Sequence, residues 1–448
     1  MDYHPDDMDL DHQKRLYNAC DPTEWLAPDD RRNLDVDSLG PEESPVRGLR
    51  WAEELCRTIQ LSKDPVLRLF TGLTGCGKST EFRRVKRILE SPEGGRFLPV
   101  LIDAQDVLDL TSPIDITDIL TVVVAEVERA VVAHDHGDPL PDDGFLGRIR
   151  NFLKSQSISP ENLQLGAGGV SFTMELKTQP GLRQRVRRVL SSSFSAFLNE
   201  VRDALINILA RAEKSDRKGI VVIFDSLEKL RGNSTNYSEV LTSAERVFSS
   251  GAPYLKLPIH TIYTVPPALF SRGVKDVSFM PMIKLTHRDG TRFEPGFDAC
   301  RQLAMRRLTE ADLAEVLGAE TWRARLDALI ESTAGYPRDL VRALQQAVAN
   351  RQHPLREFEF TRLKTGFLNE YRRVVPADAF EWLAKVHLKK YVSTETASPA
   401  DRTIADIMLS VNAVLAYRND EDWFDLHPAV REIPEAKEAI LRLESKLE

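Results

Sequence analysis

A chain of 448 residues, 42% of them apolar and 29% charged, carries enough apolar material for two or three domains with cores of their own, which excludes a disordered or fibrous polymer. Its formal charge of -8 argues against a surface that coats nucleic acid non-specifically. Four scattered cysteines, Cys20, Cys56, Cys76 and Cys300, have neither disulfide-framework nor metal-ligand spacing and suit a reducing compartment.

Residues 1–45, rich in Asp and Pro, read as an N-terminal arm that either wanders or lies along a domain. Their start, "MDYHPDDMDLDHQKR", lacks a basic-then-apolar secretory leader, so a cytoplasmic location is expected. In "VRGLRWAEELCRTIQL" the positions Leu49, Leu55, Ile59 and Leu61 fall at helical spacing and predict an amphipathic helix. The first strand is expected at "PVLRLF" (65–70), and others at "FLPVLID" (97–103), "GIVVIFD" (219–225), "PIHTIYTV" (258–265) and "MPMIKL" (280–285). Near-continuous apolar runs alternating with helical patterns predict an α/β core over 46–290, a parallel sheet flanked by helices.

Within that core, "ILTVVVAEVERAVVAH" contains Glu126, Glu128 and Arg129, which a bilayer would penalise, so it reads as a buried helix and no membrane contact is expected. An insertion at about 135–182 follows. Its loop "HDHGDPLPDDG", with His134 and His136, reads as a solvated connection rather than a zinc site. Next, "LQLGAGGVSFTMELK" predicts a hairpin turning at "GAGG", and one helix is expected from Arg183 to Ala212. Beyond 290 the patterns turn helical, predicting a lid over 291–353. Over 354–448, helices followed by "VNAVLAYRNDEDWFDLHPAVRE", two strand-like runs around an Asn-Asp turn, predict a winged-helix-like domain.

The stretch "LFTGLTGCGKSTEF" matches G-x-x-x-x-G-K-[ST] with Gly72, Gly77, Lys78 and Ser79 in place, between a strand and a helical pattern. Such a loop brings backbone N–H groups and a helix N-terminus to one point, where an anion is welcome. Gly72, Thr74, Gly75, Cys76, Gly77, Lys78, Ser79 and Thr80 are therefore the candidate nucleotide-binding residues, Lys78 serving the terminal phosphates and Ser79 magnesium. Cys76 itself reads as a filler position of the loop, with thiol modification that blocks nucleotide entry as the alternative, to be decided by whether alkylation abolishes binding. In "GIVVIFDSLEKL", Asp225 ends an apolar strand and is the second candidate magnesium ligand, while Glu228 would orient or deprotonate the attacking water. Lys78, Asp225 and Glu228 are the candidate catalytic residues.

"GLTGCGKST", "IVVIFDSLE" and the later "GYPRDL" resemble the Walker A, Walker B and Gly-x-Pro motifs of STAND and AAA-type P-loop ATPases. The order Asp225-Ser226-Leu227-Glu228 is similar to the STAND form, whereas typical AAA enzymes place Asp and Glu side by side. The resemblance implies ATP and magnesium as ligands, Thr264 as the polar residue near the terminal phosphate, and Gly335 and Pro337 packed near the nucleotide. Pro337 suits the first position of a helix and Arg338 beside it could reach a phosphate. Arg272, Arg306 and Arg307 follow the Thr264 strand, and none has the pattern of an arginine finger. The interval between Lys78 and Asp225 is long for this class.

The expectation is thus an ATP-binding and hydrolysing switch. The resemblance implies that it controls a separate effector protein, that it can assemble into nucleotide-dependent homo-oligomers, and that a setting in bacterial anti-phage defence is open to it. Three alternatives stand beside it: a DNA-handling ATPase, a P-loop phosphotransferase, and a scaffold that binds nucleotide without turnover. The hairpin around Arg418, Trp423 and His427 carries Asp420, Glu421, Asp422 and Asp425, which favours a protein contact over DNA. His427 reads as a packed residue.

Overall fold

In a computed structural model of the chain, which describes residues 8–24, 26–134, 144–145, 147–149, 170–233, 235–392 and 398–446, the apolar run Ile220–Asp225 is buried at all six positions. It is an interior strand, β3, of a five-stranded sheet whose other members are β1 (Leu67–Gly72), β2 (Leu98–Asp103), β4 (His260–Thr264) and β5 (Val277–Met280), in the order β2-β3-β4-β1-β5. Three neighbouring pairs are parallel: Leu98–Asp103 beside Ile220–Asp225, Val221–Phe224 beside His260–Tyr263, and Leu67–Phe70 beside Thr261–Thr264. Parallel alignment puts Phe70, Asp225 and Thr264 at one edge of the sheet, and the chain leaves β1 there into the glycine-rich loop.

The residues divide into two units, one of 52–71 and 82–279, the other of 1–51, 72–81 and 280–448. In the first, the sheet is covered by helices, and each apolar side chain taken out of water there contributes about 1.5–3 kcal/mol. Ile116–His134 is buried over most of its circumference and packs on Phe194–Lys214, as its apolar pattern predicts. Among the described residues no helix is long and apolar enough to cross a membrane.

Three expected elements differ. The fifth strand is Val277–Met280 rather than 280–285. Past it, Met282, Ile283 and Lys284 donate their N–H groups to Ala416, Gly335 and Val46, three separate segments of the second unit, so the backbone is satisfied without a neighbouring strand. "VSFTMELKT" is a helix, Val170–Thr178, whose buried Thr173 and Leu176 lie three positions apart on one face. The "GAGG" turn and His136 lie outside the described residues. The single helix expected over Arg183–Ala212 is two, Pro180–Ser192 and Phe194–Lys214, interrupted at Ser193, whose N–H turns back to Leu190.

In the second unit the described part of the arm is structured. Leu10–Ala19 is a helix capped by Asp9, and Gln13 Nε2 donates to the carbonyls of Val348 (2.7 Å) and Asn350 (2.9 Å). Helices Glu294–Met305, Glu310–Leu317, Trp322–Thr333 and Pro337–Val348 form the helical lid region. Helices Glu357–Val374, Phe380–Lys389 and Pro399–Ser410 precede the antiparallel hairpin of β6 (Val414–Arg418) and β7 (Asp422–Leu426). Tyr417 and Trp423 sit opposite each other in that hairpin and stack with centroids 4.5 Å apart. The chain is therefore an α/β P-loop fold with a helical lid and a winged-helix-like carboxy-terminal portion.

Candidate functional site: the phosphate loop and the acid turn

Between β1 and the helix Lys78–Glu90, the loop turns through Gly75 at φ +88° and Gly77 at φ +107°, values that L side chains rarely adopt. A Cβ on Gly75 would also lie 2.8 Å from Arg338 Cβ and 2.9 Å from a Tyr336 ring carbon, so the loop needs glycine there for space as well as conformation. The carbonyls of Gly72 and Leu73 accept from Lys78 Nζ at 2.8 and 3.1 Å, and that of Gly77 accepts from the Thr80 and Glu81 amides as the helix begins. Successive left-handed glycines running into a helix N-terminus turn N–H groups to one side, a concavity suited to an anion. Cys76 is buried.

Sequence reasoning missed what stands behind this loop. Arg47, at the end of the arm, is 2% exposed; its Nη1 donates to the Cys76 carbonyl at 3.1 Å, Nε to Asp37 at 2.6 Å and Nη2 to Glu81 at 2.7 Å. Asp37 also accepts from the Trp51 amide. One buried guanidinium thus serves two buried carboxylates. Burial, with the charge of Glu81 adding to it, outweighs Arg47 and pushes the Asp37 carboxyl up to about 6. The only available hint was "VRGLRW" just before an amphipathic helix, since an arginine ahead of a helix has no periodic signature.

The Gly-x-Pro stretch lies against the same loop. Tyr336 Oη donates to the Thr74 carbonyl at 2.7 Å, and burial pushes its phenol pKa up, so it keeps the proton it donates. Pro337 is the first residue of its helix. Gly335, at φ +71°, allows the Ile283 carbonyl so close that a Cβ would sit 1.9 Å from it. Arg338 rests beside Gly75 and pairs with no carboxylate among the described residues. Lys78 and Arg338 are therefore two cations at one glycine turn, with Ser79 and Thr80 half-buried in the first turn of the following helix.

The acid turn belongs to the sheet unit. Asp225 is 5% exposed at the end of β3 and accepts from the Ser226 amide at 2.7 Å; Glu228, 6% exposed, lies in the tight turn Leu227–Lys229. Ser226 between them adopts φ +66°, a left-handed conformation that costs a non-glycine residue free energy. Thr264 Oγ1 donates to the Phe224 carbonyl at 3.1 Å and accepts from the Leu227 amide at 2.8 Å. Its hydroxyl thus braces the turn that carries both acids.

The remaining residues singled out in the sequence, to which no role at the loop was assigned, are engaged within the fold. Arg272 pairs with Glu245 at 2.6 Å, and Arg306 and Arg307 donate to the carbonyls of Arg31 and Leu303. His427 is fully buried; its Nδ1 accepts from the Ala429 amide, and its ring lies 4.6 Å from that of Tyr371. At the hairpin, Trp423 donates to Asn419 and Asp425 binds His387 and Lys390.

No protein-family model matches the chain, and no curated protein matches it. Among solved structures it is similar to the ORC2 protein of Aeropyrum pernix in ADPNP–ADP complexes, at 14% identity and a TM-score of 0.34 over 93% of this chain and 99% of that one. It is also similar to the ORC1 protein of Aeropyrum pernix in complex with DNA (13%, 0.31, 89% and 92%) and to Cdc6p from Pyrobaculum aerophilum (10%, 0.33, 95% and 98%). At such scores none of these likenesses bears on what this chain binds or does.

Proposed function

We propose that the chain binds and hydrolyses ATP with magnesium and acts as a switch of the STAND or AAA type. The observation that carries this reading is the loop itself: glycines at left-handed φ, carbonyls engaged by donors, a helix N-terminus, and the cations Lys78 and Arg338 beside one turn. Ser79 and Asp225 are oxygen donors of the kind a hard divalent ion takes, and they are the residues that would hold magnesium. The ion, when bound, would neutralise phosphate charge. Glu228 would orient and deprotonate the attacking water, Lys78 and Arg338 would hold the phosphates, and Thr264 would keep the acid turn in place.

Titration with ATP and magnesium tests this. Lys78→Ala should weaken affinity about 100-fold, as expected for a lost charge-assisted contact. Glu228→Gln should retain binding and lose turnover by about 10²–10⁴-fold, the usual contribution of a general base. Affinity in Lys78→Ala equal to wild type would sink the proposal. The output step is assigned to a separate effector protein, and a defence role is what the motif resemblance implies. Mass measurement and co-purification with and without ATP test it, and identical masses and partners in every state would count against a switch.

A second reading, a DNA-handling ATPase, draws on the three helices and hairpin between Glu357 and Leu426, a shape suited to duplex DNA, with Arg373 and Lys389 exposed on it. The acids at Asp420, Glu421 and Asp422 near the hairpin tip oppose it. Binding of a duplex that weakens steeply as salt is raised would decide for DNA.

A further inference from the structure

Asn412 lies between the helix Pro399–Ser410 and β6 and is 7% exposed. It adopts φ +57°, a left-handed conformation that Asn tolerates better than most residues. Its Nδ2 donates to the Thr74 carbonyl at 3.1 Å and to Tyr336 Oη at 2.7 Å, while Tyr336 gives its own proton to the same carbonyl at 2.7 Å. A residue 338 positions away in the chain therefore grips the phosphate loop directly.

The amide has one workable orientation. Turned the other way, Oδ1 would face the Thr74 carbonyl, acceptor against acceptor. In the orientation adopted both Nδ2 protons are used, and Oδ1 is buried without a hydrogen-bond partner among the described residues. An unsatisfied buried acceptor is unfavourable, so the geometry favours the two donations at the cost of the third group. The left-handed turn at Asn412 closes the helix, the Ala413 N–H returning to the Met408 carbonyl at 2.9 Å, and it is this turn that brings the amide to Thr74 and Tyr336.

We propose that Asn412 and Tyr336 are positioning residues of the nucleotide site, holding the Thr74 carbonyl so that the loop keeps the conformation in which its N–H groups form the anion cradle. The proposal rests on the nucleotide reading above and adds the carboxy-terminal portion to the site. Because the contact is made from a winged-helix-like domain, nucleotide affinity becomes dependent on how that domain is seated.

Three variants of the full chain test it. Asn412→Gly keeps the left-handed backbone and removes the amide, Asn412→Asp keeps the shape but replaces the donor with an acceptor, and Tyr336→Phe removes only the hydroxyl. Two measurements are made on each: affinity and steady-state kinetics with ATP and magnesium, and the rate at which iodoacetamide modifies Cys76, read by peptide mass with Cys56 and Cys300 as internal references. All three thiols are buried, so modification reports local opening. Each variant should weaken ATP binding by about tenfold or more, since each removes two hydrogen bonds around the Thr74 carbonyl and one such bond is worth about that much, raising KM more than it lowers kcat. Cys76 should react about tenfold faster with Cys56 and Cys300 unchanged, and the double variant Asn412→Gly/Tyr336→Phe should be less than additive. Wild-type Cys76 rates in Asn412→Gly and Tyr336→Phe would overturn the proposal, as would equal acceleration at all three cysteines, which marks general loosening. If wild type takes no ATP, the nucleotide reading fails, and the Cys76 rates alone decide whether these residues hold the loop.

Discussion

The phosphate loop at 72–81 and the acid turn at 225–228 differ in what holds them. The acid turn ends a fully buried strand and is braced by the Thr264 hydroxyl of the adjacent strand, so its shape follows from the sheet. The loop has no such frame. Its carbonyls are held by Lys78 from within, by Arg47 from the arm, by Tyr336 from the helical region and by Asn412 from the winged-helix-like portion. A motif can thus be locally complete and still owe its conformation to distant side chains, and the two regions should respond to different mutations.

The largest effect is expected at Arg47. Arg47→Met strands two buried carboxylates and should destabilise the protein by about 3–5 kcal/mol, measured by chemical denaturation. It should also weaken ATP binding, and unaltered stability would show that the arm is dispensable to the loop. Gly335→Ala should follow, at about 2–4 kcal/mol, because its φ is left-handed and its Cβ would strike the Ile283 carbonyl. Thr264→Val, nearly isosteric, removes the acceptor for the Leu227 amide and should cost about 1–2 kcal/mol. This variant should lower turnover while leaving ATP affinity near wild type; a loss of affinity equal to that of Asn412→Gly would erase the contrast between the two regions.

A further effect is one of pH. The Asp37 carboxyl is raised to about 6 in the folded chain, above its unfolded value, so the folded state binds more protons in between. Its contribution to stability is therefore fully present below the unfolded pKa and declines as pH rises from about 4 to about 6. The stability difference between wild type and Asp37→Asn should shift against wild type over that interval and level off above it. A difference that does not vary with pH would mean that Arg47 fully offsets the burial of the carboxylate.

Much of the architecture was legible. Strands β1 to β4 coincide with apolar runs that end in turn or polar residues, since a strand covered on both faces must be apolar throughout. Pro337 heads its helix as its missing N–H predicts. By contrast, "VSFTMEL" alternates well enough to pass for a strand yet buries Thr173 and Leu176 at helical spacing, because a short run satisfies either period until its packing partners choose one. The segment after Met280 reads as a strand and is not one: its N–H groups find carbonyls from three separate places.

The glycines, Lys78, Ser79, Asp225 and Glu228 are named by local patterns, because backbone approach, charge and strand-end position depend on neighbours a few residues away. Arg47, Asp37, Tyr336 and Asn412 required the folded chain. They act through side-chain bonds to loop carbonyls or to each other across separations as large as 338 residues, and such bonds leave no period or spacing in the sequence. Only tertiary packing decides which distant donor satisfies a buried carbonyl.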